Sequence, residues 1–254
     1  MMDSEIFSHE GIHYRIIGAG TPLVMLHGLA DSKEDWFESG YVDGLEESHQ
    51  LILIDFRGRG ENKTKYTSDF YSLDHFADDV QSVIDALGIK EYDLLGYSMG
   101  GVIAHWISKK FPGNIRSMVS LDGIIVPDLV NIYRYWSENI EGILKDYEGD
   151  PRNSETKRSR IADNDIKAIQ ALSLGLSQSI SNNLSDFLSM PDLDFPYLVL
   201  VSNWEDQGLD IGSYLNWAKS STTFKKYQDF DHGDFIYKSS SVISDLNSFY
   251  KTIA

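Results

Sequence analysis

A chain of 254 residues with 42% apolar and 24% charged content has room for one sizeable core, or for a core with an inserted piece, and its composition excludes disordered and fibrous classes. Its 39 acidic against 22 basic residues give a formal charge of −17, a field that repels phosphate backbones and anionic lipid surfaces and so argues against nucleic-acid and membrane partners. The absence of cysteine excludes disulfides, zinc–thiolate sites and a cysteine nucleophile, leaving an oxygen or a lysine for that role.

In chain order, Ile12 to Ile17 alternates and stops at Gly18-Ala19-Gly20-Thr21-Pro22, which predicts an early strand, part of an opening hairpin. Leu23-Val24-Met25-Leu26 is then continuously apolar up to His27-Gly28, the pattern of a strand buried on both faces of a parallel sheet. The same pattern recurs in Leu51–Ile54 before Asp55-Phe56-Arg57-Gly58, in Tyr92–Leu95 before Gly96, and in Ile115–Leu121 before Asp122-Gly123. Between these strands, Leu73, Phe76, Val80, Ile84 and Leu87 mark a helix over Ser72–Leu87, and a second helix over Val102–Phe111 ends at Pro112-Gly113. Strand and helix alternate, so the sheet is expected to be mostly parallel in an α/β fold.

After Pro127 that rhythm breaks, and the polar-rich, helix-compatible sequence to about Met190 predicts an inserted helical lid. Leu172, Leu174 and Leu176 alternate rather than follow helical spacing, which leaves the helix boundaries there open. Tyr197–Val201 and Thr222–Tyr227 read as closing strands, and Ser240–Tyr250 as an amphipathic final helix. The expected organisation is therefore a core of residues 1–124 and 191–254 with an insertion over 125–190. No apolar run reaches the ~18 residues needed to span a bilayer, and Met1-Met2-Asp3-Ser4-Glu5 has no basic n-region, so the cytoplasm is the expected compartment.

The decisive motif is Gly96-Tyr97-Ser98-Met99-Gly100-Gly101, a G-x-S-x-G between a predicted strand and a predicted helix. A serine hydroxyl needs a base to take its proton, and a sharp strand-to-helix turn exposes the oxygen while aiming backbone amides at the same point. Together, His27-Gly28-Leu29, Asp55-Phe56-Arg57-Gly58-Arg59-Gly60, the Ser98 motif and a late Asp231-His232-Gly233 resemble the α/β-hydrolase superfamily. The resemblance implies an eight-stranded, mostly parallel sheet flanked by helices, with nucleophile, acid and histidine on loops at strand ends. It also implies oxyanion donors at the amides of Leu29 and Met99, while His27 is expected to hold its loop.

Of seven histidines only His232 follows the last predicted strand, so it is the expected base. For the acid the sequence departs from the family pattern. Ser202-Asn203-Trp204-Glu205-Asp206 follows the seventh strand, and three carboxylates stay open: Asp206, favoured on residue type, then Glu205, then Asp122 at the end of the sixth strand. Asp55 and Arg57 read as a structural turn. Asp78-Asp79 and Asp163 with Asp165 lack histidines at ligand spacing and read as solvated acidic faces, so neither metal nor cofactor is expected.

The expected activity is hydrolysis of a carboxylic ester or related acyl bond of a small molecule by Ser98, His232 and a carboxylate. C–C bond hydrolysis, lactonase, thioesterase or small-amidase activity would use the same residues. A dehalogenase or epoxide hydrolase would have aspartate in place of Ser98. A ligand sensor with a vestigial triad is the alternative of another class. Oligomeric state, monomer or dimer, is left open.

Overall fold

The structure is a computed structural model that describes residues 6–189, 193–203 and 221–253. Eight strands, β1 (Ile6–His9), β2 (Ile12–Ile17), β3 (Thr21–Leu26), β4 (His49–Ile54), β5 (Tyr92–Tyr97), β6 (Ile115–Leu121), β7 (Tyr197–Val201) and β8 (Thr222–Lys226), form one sheet in the order β1-β2-β4-β3-β5-β6-β7-β8. β1 and β2 pair antiparallel, β2 runs antiparallel to β4, and every later pairing is parallel. The hairpin between β1 and β2 turns on Glu10 and Gly11, both at positive φ (51° and 83°), as a tight two-residue connection requires.

The apolar runs are continuous because both faces of the sheet are covered. Val24, Leu26, Ile52, Ile54 and Leu94 join one core layer with Phe76 and Val80 of α3 (Leu73–Ala86) and Ile103 and Ile107 of α4 (Met99–Lys110). Their sequence neighbours Leu23, Met25, Leu51, Leu53 and Leu95 face the other layer. There they meet Trp36 of α1 (Asp35–Glu38), Tyr41, Val42 and Leu45 of α2 (Tyr41–Leu45), and Val242 and Leu246 of the last helix. Ser72 caps α3 by accepting a hydrogen bond from the His75 amide at 3.2 Å.

Between β6 and β7 the chain forms α5 (Leu129–Glu148), α6 (Glu155–Ala162), α7 (Ile166–Asn182) and α8 (Leu184–Leu188), all inside the span expected to be inserted. The alternating leucines are helical after all. Leu172 and Leu176, four residues apart on α7, are fully buried, whereas Leu174 on the opposite side is 36% exposed. After β8 come α9 (Asp234–Tyr237) and α10 (Ser239–Ile253). Among the described residues no helix is long and apolar enough to cross a membrane.

Candidate active site

Ser98 sits between β5 and α4 with φ 53° and ψ −118°, a positive φ that a non-glycine residue holds only when its surroundings enforce it. The enforcement is local. The Ser98 amide donates to Leu121 O at 2.9 Å, and Ser98 O accepts from the Gly101 amide at 2.9 Å and the Val102 amide at 3.2 Å. Glycine is required at the flanks: a Cβ on Gly96 would collide with Gly100 O, and one on Gly100 with Leu26 O.

The tips of β6 and β7 lie side by side, because Leu121 pairs with Leu200. Asp122 therefore comes within reach of Ser202: its Oδ1 accepts from the Ser202 amide at 2.7 Å and its Oδ2 from Ser202 Oγ at 2.8 Å. Asp122 also holds a positive φ of 55°, and its side chain is buried. His232 reaches both neighbours. Its Nδ1 lies 2.6 Å from Asp122 Oδ2 and its Nε2 2.8 Å from Ser98 Oγ. With Asp122 ionised, Nδ1–H donates to the carboxylate, which leaves Nε2 to accept the Ser98 proton. Tyr97 fixes the ring from the side, stacked at 5.2 Å, and its hydroxyl donates to His232 O at 3.1 Å.

Of the three carboxylates expected to compete, Asp122, placed third, lies in contact with His232; Glu205 and Asp206 lie outside the described residues. Two other histidines are buried away from this site and a third is exposed. His27 is buried against Phe56; its Nε2 accepts from the Phe56 amide at 3.2 Å, so Nδ1–H donates to Gly28 O at 2.7 Å. Burial lowers its pKa, and the neutral ring braces the loop that carries Leu29. His105 packs under α8 with Nε2 2.8 Å from Phe187 O, and burial pushes its pKa down to about 4. His75 is exposed on α3.

Asp55 and Arg57 are turn residues: Asp55 accepts from the Lys33 amide and ammonium at 2.7 and 2.6 Å, and Arg57 forms a two-pronged pair with Asp79. Asp78 and Asp163 are exposed, as expected from sequence, Asp78 pairing with Lys110 on the surface; Asp79 is half-buried and paired with Arg57, and Asp165 caps α7 through the Ala168 amide.

The cleft above Ser98 has two arms. The smaller, about 310 Å³, is lined by Met99, Val102, Ile124, Leu129, Ile132 and Tyr133. The larger, about 550 Å³, runs past Leu29, Ala30, Ile140, Ile143 and Leu144. Ser98, His232 and Trp136 border both, so the indole of α5 stands where the arms meet above the serine. Met99 is the first residue of α4, where an amide has no intrahelical partner, and Leu29 lies across the serine in the larger arm.

Helices α5 and α6 are tied to the loop and helix after β3 beside this cleft. Lys157 is buried between Asp31 and Asp35, its Nζ 2.9 and 2.5 Å from their Oδ1 atoms, and Tyr147 donates to Asp31 Oδ1 at 2.8 Å. Burial alone would raise the Asp31 pKa, but the Lys157 ammonium and the Tyr147 hydroxyl outweigh it and pull the pKa down to about 2. Arg152 meanwhile bonds Asp150, Asp231 and Asp234 at once. In sequence these charges look like solvated surface, and apart from Asp150, two residues before Arg152, nothing local marks them as partners. Ser202 left more signal, since it directly follows the apolar run of β7.

Comparison with known proteins agrees with this architecture. Residues 21–165 match the family profile of the alpha/beta hydrolase fold. A serine hydrolase-like protein of Danio rerio is 33% identical over 103 residues, 41% of this chain but only 31% of that protein's length. A Bacillus subtilis (strain 168) protein provisionally named 2-succinyl-6-hydroxy-2,4-cyclohexadiene-1-carboxylate synthase is 24% identical over 230 residues, covering 78% of this chain and 80% of the other. Among solved structures, the epoxide hydrolase VrEH1 of Vigna radiata superposes with a TM-score of 0.79 at 14% identity, covering 99% of both chains, a likeness of fold.

Proposed function

Because the chain belongs to the alpha/beta hydrolase fold family, we propose that it is a serine hydrolase that cleaves a carboxylic ester or related acyl bond of a small molecule, with Ser98, His232 and Asp122 as its triad. The observation that carries this reading is the unbroken hydrogen-bond series from Ser98 Oγ through His232 to Asp122, at 2.8 and 2.6 Å. Ser98 Oγ attacks the acyl carbon while His232 Nε2 takes the hydroxyl proton. Asp122, held by two bonds from Ser202, keeps the imidazole in the tautomer that can do this and stabilises the cation that forms.

The Met99 and Leu29 amides receive the developing oxyanion, each such donor contributing on the order of 3 kcal/mol to the barrier reduction. His232 then returns the proton to the leaving group, and water, deprotonated by the same nitrogen, frees the acyl group and restores Ser98. A hydroxyl rather than a carboxylate at position 98 favours acyl transfer over epoxide opening, which the fold alone would accommodate. The helices of residues 129–188 act as the lid, roofing the serine with Trp136 and the apolar face of α5.

The test is initial-rate hydrolysis of short-chain 4-nitrophenyl esters, lactones and dienone-type C–C substrates by wild type and Ser98→Ala. Ester turnover that disappears in the variant is expected; equal turnover by the two proteins would refute the assignment.

A further inference from the structure

Resting on the reading of Ser98 as nucleophile, we propose that Tyr133 determines specificity in the smaller arm of the cleft, where its hydroxyl donates to a neutral oxygen of the substrate portion that enters there. The preferred substrate then has an otherwise apolar chain that carries an ether, carbonyl or hydroxyl oxygen a few bonds from the scissile acyl group. Leu129, Ile132, Tyr133 and Trp136 fall on one face of α5, at the three- and four-residue spacing that stacks side chains along a helix, and all four line this arm.

Most of the lining is apolar or already engaged. Ser98, His232 and Asp122 are joined by their own hydrogen bonds, and Met99, Val102 and Ile124 have no side-chain N–H or O–H to offer. Two donors are left. The Trp136 indole is half-buried and shared with the larger arm, whereas Tyr133 is only 2% exposed. The Tyr133 hydroxyl has no hydrogen-bond partner among the described residues, and its ring is held edge-on to Trp136, with centres 5.5 Å apart. A buried hydroxyl without a partner is costly, and folded proteins leave few of them. A substrate oxygen recovers that cost, and an analogue without the oxygen does not. Burial raises the Tyr133 pKa, so the group stays a neutral donor. Among the described residues no lysine or arginine lines the arm, which selects a neutral oxygen over a carboxylate. The arm's volume of about 310 Å³ holds about ten non-hydrogen atoms at about 30 Å³ each, so a hexyl-length chain fits whole.

Two ester series place the chain on either side of the scissile bond. One is 4-nitrophenyl hexanoate with its 3-oxa, 4-oxa and 5-oxa analogues, and the other is hexyl acetate with the corresponding oxa-alkyl acetates. Exchanging a methylene for an ether oxygen keeps length and shape, and dividing each kcat/KM by the ester's own alkaline hydrolysis rate removes differences in intrinsic reactivity.

In wild type at least one oxa ester is expected to exceed its parent about fivefold, the effect of one hydrogen bond to a neutral group. Tyr133→Phe keeps the ring and removes only the hydroxyl. The same oxa ester is then expected to fall below its parent, a shift of about tenfold in the ratio that sits mainly in KM, whereas lost packing would lower both esters together. Parents that equal or beat every oxa ester in both series, or a preference that survives Tyr133→Phe, would overturn the inference and leave the nucleophile assignment standing. Absence of any turnover would count against the nucleophile instead, and calorimetric titration of Ser98→Ala with the same esters reads the preference without it. Tighter binding of an oxa ester than of its parent, lost when Tyr133→Phe is added, supports the inference, and equal or weaker binding contradicts it.

Discussion

Replacing Asp122 by asparagine tests the carboxylate assignment at the level of single hydrogen atoms. Both oxygens of Asp122 accept from Ser202, Oδ1 from the backbone amide and Oδ2 from the hydroxyl, while Oδ2 also receives His232 Nδ1–H. The backbone amide cannot reverse its role, so the asparagine carbonyl must take the Oδ1 position. Its NH₂ group then occupies the Oδ2 position and points a donor at Nδ1, which the Ser202 hydroxyl tolerates by rotating but the imidazole can accept only as the Nε2–H tautomer. In that form Nε2 no longer takes the Ser98 proton.

The geometry survives while the base is lost, and an equivalent exchange in a serine protease lowers kcat by about 10⁴, or about 5 kcal/mol of barrier. Asp122→Asn is therefore expected to fold with a normal circular dichroism spectrum and lose ester hydrolysis by that order, while Glu205→Gln and Asp206→Asn stay within a few-fold of wild type. An Asp122→Asn enzyme that keeps a tenth of its rate, or a loss of comparable size in Asp206→Asn, would refute the reasoning.

The packing makes further predictions. Leu172→Ala, on the buried side of α7, is expected to cost about 2–5 kcal/mol in chemical denaturation, and Leu174→Ala, on the exposed side, to stay within about 0.5 kcal/mol. Lys157→Met leaves Asp31 and Asp35 buried without their shared ammonium, a loss of about 3–5 kcal/mol that thermal or urea unfolding would register. Asp31 titrates lower when folded than when unfolded, so its contribution to stability is present above about pH 4 and fades as pH falls toward 2. Melting temperatures of wild type and Asp31→Asn between pH 6 and pH 3 should therefore converge on acidification; a constant gap would disprove the coupling.

The sheet was legible in the sequence wherever burial on both faces made a run uninterrupted, as in Leu23–Leu26 and Leu51–Ile54. It was less legible in Ile6–His9, which is short and carries no such run. Ser98 could be read because its setting is local: strand, turn and helix are contiguous in the chain. The contact between His232 and Asp122 is not local, spanning 110 residues, and it exists because β6 and β7 are neighbours with polar tips in register. Sequence alone places a carboxylate after either strand, and the three-dimensional arrangement of the strand tips is what brings Asp122 to His232. The alternating leucines of α7 misled for a related reason: an element's period shows only if its other face is polar, and Leu174 puts an apolar residue there. The acidic residues around Lys157 and Arg152 were invisible as a cluster, since apart from Asp150, two positions from Arg152, the partners lie 79 to 126 positions away.

The most direct measurement is covalent. Incubation with a fluorophosphonate followed by peptide mass spectrometry should find a single adduct on Ser98, absent in Ser98→Ala and formed far more slowly in His232→Ala. No adduct on the wild-type protein, or labelling that persists unchanged in Ser98→Ala, would contradict the account.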